Sequence, residues 1–316
     1  MQPPQPYQDE QDLQRMLQLL VEGRLAGNGS YYVHTGDLKW WLYYPAEPFR
    51  WLESIFLWYR PDGELLAWVF FSLKYRSFDL FVQPALHATC EHEAMLGWSV
   101  ERLTGLVRSL GGQEICTLGV LADDWVQARM LAGLGFVRAQ DFMNLLVRPL
   151  DGPLPDPAMP DGFSVRPVAG VQEAERRAAA SHAAFASPLP FEAYCQRYVD
   201  FMRSPAYVPE HDLVVASPDG RFAAFCIIWT DPLNRVGLFE PVGTHPDFQR
   251  LGLGKAVMAE GLRRLQAQGM RSAIVGAEHD NPAALRLYQS LDFLVVNKIC
   301  TYARPIRQGI DGNRSF

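Results

Sequence analysis

Residues Leu238-Phe239-Glu240-Pro241-Val242-Gly243-Thr244-His245-Pro246-Asp247-Phe248-Gln249-Arg250-Leu251-Gly252-Leu253-Gly254-Lys255-Ala256 run a short apolar strand into a glycine-bearing turn that opens a helix. This order suits an anion. Glycine lets the backbone approach closely, and the first-turn N–H groups of a helix have no intrahelical partners and carry the positive end of its dipole. Arg250 and Lys255 add charge at the same place.

Two well-known nucleotide loops do not fit. A Walker loop requires glycine and Ser/Thr where Gln249 and Ala256 stand, and a Rossmann fingerprint requires a third glycine where Val257 stands. What remains is Gln-x-x-Gly-x-Gly after a strand ending in His-Pro. One strand later come Asn281, Ala284, Tyr288 and Phe293, spaced as Asn-x-x-Ala-x-x-x-Tyr-x-x-x-Gly-Phe with Asp292 in place of the glycine. The two motifs together resemble the GNAT acetyltransferase superfamily over residues 163 to 304. Asp292 must then supply the left-handed helix end that glycine adopts more readily. Independently of any family, Asn281 is a suitable N-cap with Pro282 at the first helical position, and Ala284, Leu287, Tyr288 and Leu291 form one helical face.

The resemblance implies an α/β fold with a mixed, mostly antiparallel twisted sheet, a splayed central strand pair and helices on both faces. It implies acetyl-CoA as cosubstrate and no metal. Its pyrophosphate would lie on Gln249, Arg250, Leu251, Gly252, Leu253, Gly254 and Lys255, with Asn281 also on the cofactor side. Pro241 conflicts with a regular central strand because it removes a ladder donor. In the family this strand is bulged, so that pantetheine bonds the backbone of Val242, Gly243 and Thr244; the alternative is a bulge without chemical role. Transfer to an amine calls for a base, since an alkylammonium of pKa about 10 cannot attack. Glu240 is the candidate, directly or through a water, and the competing reading is a strand carboxylate paired with an arginine. Glu278, His279 and Asp280 stand in reserve. Tyr288 is the family's proton donor to the departing thiolate, or else a core tyrosine.

The chain of 316 residues has room for about two domains. Pro and Gly concentrate at 151–162, read as a linker between a domain at 1–150 and the acetyltransferase domain at 163–316. The flanks repeat: Pro61-Asp62-Gly63 matches Pro218-Asp219-Gly220, Leu134-Gly135-Phe136 matches Leu291-Asp292-Phe293 at the same offset, and each half closes on Arg-Pro. The first half keeps the order and loses the chemistry. With Pro84 aligned to Pro246 its loop reads His87-Ala88-Thr89-Cys90-Glu91-His92, without glycine and with a carboxylate where pyrophosphate would lie; Leu131 replaces Tyr288 and Asp124 replaces Asn281. A zinc reading of His87, Cys90 and His92 lacks a second ligand pair, so an ordinary helix start is expected. Seven of the eight tryptophans, among them Trp40, Trp41, Trp51, Trp58 and Trp68, fall in this half, which suits core packing or an acceptor patch.

The first 152 residues hold 12 Lys+Arg against 18 Asp+Glu, and the remainder 17 against 17. Neither part is basic enough for a nucleic-acid binder. Arg250, Lys255, Arg263, Arg264 and Arg271 are expected to gather around the phosphate loop. No apolar run approaches the roughly 20 residues of a membrane span, the N-terminus lacks signal-peptide character, and the five scattered cysteines read as reduced thiols, so a cytoplasmic protein without a membrane partner is expected. The sequence thus points to an acetyl-CoA-dependent N-acetyltransferase acting on a small-molecule primary amine, which the acidic first half would attract. A non-catalytic acyl-CoA-binding protein and an enzyme for peptide N-termini are the alternatives.

Overall fold

The computed structural model describes residues 2–26, 33–44 and 54–306; Trp51 lies outside them. In chain order the elements are β1 (Gln5–Pro6), α1 (Glu10–Leu25), α2 (Thr35–Tyr43), β2 (Ile55–Tyr59), β3 (Leu65–Ser72), β4 (Ser77–Val82), α3 (Cys90–Ser109), β5 (Glu114–Leu121), α4 (Trp125–Gly133) and β6 (Val137–Pro149). There follow β7 (Ser164–Pro167), α5 (Ala174–Ala184), α6 (Phe191–Met202), β8 (Asp212–Ala216), β9 (Phe222–Asp231), β10 (Val236–Thr244), α7 (Leu253–Ala267), β11 (Ser272–Glu278), α8 (Pro282–Gln289) and β12 (Leu294–Pro305). A three-strand meander, a short 3₁₀ turn, a helix, a strand and a helix recur in each half, so the repeat is one of fold as well as of sequence. These are two tandem α/β units of one design.

The compact units do not coincide with a cut at 151–162. One gathers residues 1–32, 49–142 and 298–316; the other gathers 33–48 and 143–297. The last strand of each half therefore completes the sheet of the other. In the second unit, Met143–Pro149 of β6 pairs antiparallel with β11 along its whole length. In the first, Ile299–Pro305 of β12 pairs antiparallel with β5. Residues 151–162 form no regular element and are held to the second unit by Arg148, which donates to the Pro153 carbonyl, and by Arg263, which donates to the Pro155 carbonyl and the Asp156 carboxylate.

In the second unit the strand order is β6-β11-β10-β9-β8-β7. The central strand β9 is apolar on both faces and almost wholly buried, as a strand covered by helices on each side must be. One core lies under α7 and α8 and includes Phe239, Val257, Met258, Leu262, Leu265 and Phe293. The other lies under α5 and α6, where Tyr194, Tyr198 and Phe201 recur at helical spacing, and α2 from the first half adds Trp40 and Tyr44 to it. Beneath these helices the buried Arg177 guanidinium donates to Asp212 (2.9 Å), whose carboxylate also accepts from the Tyr198 and Tyr207 hydroxyls. In the first unit the order is β1-β2-β3-β4-β5-β12, with Trp58 and Trp68 fully buried: core packing accounts for both.

Candidate active site

Register positions the cleft. β10 runs parallel to β11 only over Val236–Leu238, paired with Ser272–Ile274. Beyond Leu238 the two strands part, while β10 stays on β9 as far as Thr244. The edge of Val242, Gly243 and Thr244 that faces β11 therefore has no strand partner among the described residues. At the branch point Glu240 and Pro241 together stand opposite the single residue Ile227, a bulge that removes the conflict raised by a proline in a central strand. The Trp229 indole N–H donates to the Glu240 carbonyl (2.7 Å) and pins the bulge.

The Glu240 side chain is partly buried, and its pKa is pushed up to about 8, first by burial and then by the negative charges of Asp37 and Glu278. Asp37 comes from the first turn of α2, where its carboxylate accepts from the His34 N–H (2.7 Å). Nothing in the sequence marked it, because a residue about two hundred positions away is brought here only by the docking of α2 on β9 and β10; the contact between the His34 ring and the Val236 carbonyl (3.2 Å) is part of that docking. No arginine pairs with Glu240 among the described residues. Tyr288 is buried on α8, and its pKa is raised by burial and then by Glu240 and Cys226, so the two candidate catalytic side chains share one electrostatic environment and the phenol is protonated at neutral pH. Among the described residues its hydroxyl makes no protein hydrogen bond.

After β10, His245 caps a 3₁₀ turn at Pro246–Phe248, Arg250 takes a left-handed φ of 68°, and Gly252 follows at 78° immediately before α7. The helix has no side-chain cap. Among the described residues the backbone N–H groups from Arg250 to Lys255 have no partners, and neither Arg250 nor Lys255 forms an ion pair. A Cβ on Gly254 would lie 3.0 Å from the Thr244 hydroxyl oxygen and 3.4 Å from Leu287, and a Cβ on Gly243 would strike the Phe225 ring. Unpaired donors, free positive charge and a narrow floor suit a pyrophosphate. The other three cations depart from expectation. Arg263 and Arg264 pair with Glu260, and Arg263 also with Asp156, while Arg271 follows the far end of a 15-residue helix about 22 Å long. Asn281 caps α8 by accepting from the Ala284 N–H (3.0 Å).

Residues 177–293 match the family model described as the acetyltransferase (GNAT) family. The segment that carries the glycine turn and Tyr288 is GNAT-like. Curated relatives include mycothiol acetyltransferases of Streptomyces coelicolor (32% identity over 196 residues, 59% of this chain and 62% of that protein) and of Paenarthrobacter aurescens (26% over 220 residues, 67% and 66%). The chain spans about three fifths of the length of the curated relatives it matches. Among solved structures, the tandem GNAT protein from the clavulanic acid biosynthesis pathway superposes with a TM-score of 0.70 at 16% identity, covering 97% of this chain and 98% of that one. A GCN5-related N-acetyltransferase from Sphaerobacter thermophilus gives 0.65 at 19%, covering 98% and 97%. These likenesses concern the fold.

The GNAT motif glycine is Asp292 here, and it does take the left-handed conformation, with φ 60°. The Arg148 guanidinium donates to the Leu291 carbonyl and to the Asp292 carboxylate (3.0 Å), a partnership across the exchanged strand that the sequence did not reveal. In the first unit the matching helix ends at Gly135 with φ 83°, Asp124 caps α4 as Asn281 caps α8, and Leu131 is buried where Tyr288 would stand. Thr89 caps α3, an ordinary helix start, and no group of three metal-ligating side chains occurs among the described residues.

Proposed function

We propose that the second unit is an N-acetyltransferase that moves an acetyl group from acetyl-CoA to the primary amine of a small cationic acceptor, within a ternary complex. The observation that carries this reading is the pairing of an uncapped glycine turn with a raised-pKa carboxylate at the branch of β10 and β11. The mycothiol acetyltransferase relatives support a small-molecule acceptor.

In this reading the turn from Gln249 to Lys255 holds the pyrophosphate, and Val242, Gly243 and Thr244 bond the pantetheine amides as a surrogate strand. The Val242 N–H polarises the thioester carbonyl. Asp37 and Glu278 attract the acceptor ammonium and hold it beside Glu240. Glu240 takes one ammonium proton and the freed amine attacks, forming the N–C bond. As the C–S bond breaks, Tyr288 gives its proton to the CoA thiolate and is restored by the proton leaving the new amide nitrogen. Asn281 supports this cleft by fixing the start of α8.

The deciding experiment measures CoA thiol release with acetyl-CoA and a panel of amines. Turnover with a small diamine or amino sugar is the expected result. Acetyl-CoA binding without thiol release would leave an acyl-CoA-binding protein, and turnover confined to peptide N-termini would reassign the acceptor.

A further inference from the structure

The first unit holds a cleft of its own. β4 and β5 pair in parallel only at Ser77–Phe78 with Cys116–Thr117 and then separate. The opening encloses about 30 Å³, room for one small polar head group, and its polar lining is Asp79, His87, His92, Thr117, Asp124 and Gln127. The backbone turn beside it copies that of the second unit, with a 3₁₀ turn at Pro84–Leu86 and Ala88 at φ 68° where Arg250 has the same value. Its chemistry is reversed. The Thr89 side chain caps the His92 N–H, Glu91 and Glu93 occupy the first turn of α3, and among the described residues no lysine or arginine lines the opening. A pyrophosphate is unwelcome there.

Two side chains point to a different ligand. His92 and Thr117 are 2% and 3% exposed, and His92 Nδ1 and Thr117 Oγ1 are buried without a hydrogen-bond partner. Buried polar groups in native proteins are paired almost without exception, with protein, ordered water or ligand, so two in one cleft mark positions that a bound water or the polar head of a ligand satisfies. Burial keeps the His92 ring neutral by pushing its pKa down to about 4, which leaves a ring nitrogen able to accept. Asp79 is buried in the same lining, and Asp124 lies 3.5 Å from the His87 ring nitrogen. A neutral imidazole, a hydroxyl and a carboxylate offer three acceptors, the number of N–H donors on an alkylammonium.

We infer that this cleft binds the ammonium head of a small primary amine, as a ligand site separate from the acetyl-transfer cleft. The inference does not depend on acetyl transfer, because it rests on residues of the first unit alone.

Imidazole ¹⁵N–¹H spectra of the full chain, with His87 and His92 assigned through His87→Gln and His92→Gln, test it. Ethanolamine hydrochloride is titrated at constant ionic strength and neutral pH, with choline chloride, ammonium chloride and sodium phosphate as parallel arms. The expected result is a saturable shift of the His87 and His92 signals with ethanolamine and little with choline or phosphate. Thr117→Val, which keeps the shape, should weaken this binding about tenfold while acetyl-CoA turnover is retained. Asp79→Asn should weaken it as well, so that a folding defect in one variant still leaves a reading. Histidines of the second unit report separately on amine bound at the transfer cleft. Absence of a saturable shift at millimolar ethanolamine, an equal response to choline, or wild-type binding in both variants would overturn the site. Binding of ammonium as tight as that of ethanolamine would overturn its assignment to a primary amine.

Discussion

At the scale of single residues, Glu240 and Asp292 each do something unfavourable in isolation. Glu240 is a carboxyl whose folded pKa, about 8, lies above its ordinary value of 4.5. Between these values the folded state binds the extra proton, so stability falls as pH rises through that window. Glu240→Gln should therefore raise the thermal midpoint above pH 8 and leave it little changed near pH 4. The same variant should lose about two orders of magnitude in turnover and the rise in rate through pH 8, with acetyl-CoA affinity retained. Full activity from pH 6 to 9 would make Glu240 structural. Asp292 pays about 1 kcal/mol for its left-handed backbone. Its carboxylate is 81% exposed, so the ion pair with Arg148 returns little, whereas the Arg148 side chain is 6% exposed and also serves the Leu291 carbonyl. Urea unfolding should show Asp292→Gly within about 1 kcal/mol of wild type, on the stabilising side, and Arg148→Ala destabilised by about 3 kcal/mol. The backbone conformation at position 292 was legible from motif spacing. Its partner was not, since Arg148 is 144 positions away and nothing local links the two.

At the scale of elements, the strand, turn and helix from Val236 to Ala267 were readable because each depends on its own residues. Pro241 announced an interruption, Gly252 a left-handed residue, and the apolar spacing of α7 its buried face. The misplacement of Arg263, Arg264 and Arg271 has a plain cause: nearness in sequence along a helix is distance along its axis. The glycine turn yields a separate prediction. Gly254→Val places side-chain atoms against the Thr244 hydroxyl and Leu287 and fills the floor of the turn. Calorimetry should show acetyl-CoA affinity reduced at least about tenfold, with one site per chain before the change. Two equivalent sites in the wild type would contradict the difference between the two units. On α8, Tyr288→Phe keeps the packing beside Phe293 and removes only the hydroxyl. Its turnover should fall by about two orders of magnitude at unchanged cofactor affinity, and near-normal turnover under conditions where chemistry limits the rate would assign Tyr288 to the core.

At the scale of the whole molecule, the repeat was visible in the sequence, and the exchange of last strands was not. Strand pairing is a long-range choice, and the two closing strands both end in Arg-Pro, so pattern alone does not say which sheet each joins. The consequence is testable by cutting the chain at its linker. A fragment of residues 151–316 keeps every motif residue from Glu240 to Tyr288, yet it lacks the Met143–Pro149 strand that covers the whole of β11 and the α2 helix that brings Trp40, Tyr44 and Asp37. It exposes an apolar strand edge, removes Leu146 from the core and strips Arg148 from the end of α8. Such a fragment should aggregate or melt without a cooperative transition in circular dichroism. A fragment of residues 143–297, which restores the strand and omits β12 beyond Asn297, should recover a cooperative melt at a lower midpoint than the full chain, because α2 is still absent. If residues 151–316 alone melted cooperatively at the midpoint of the full chain, the exchanged strand would contribute nothing to the stability of the second unit, and the division at the linker would describe how this protein folds.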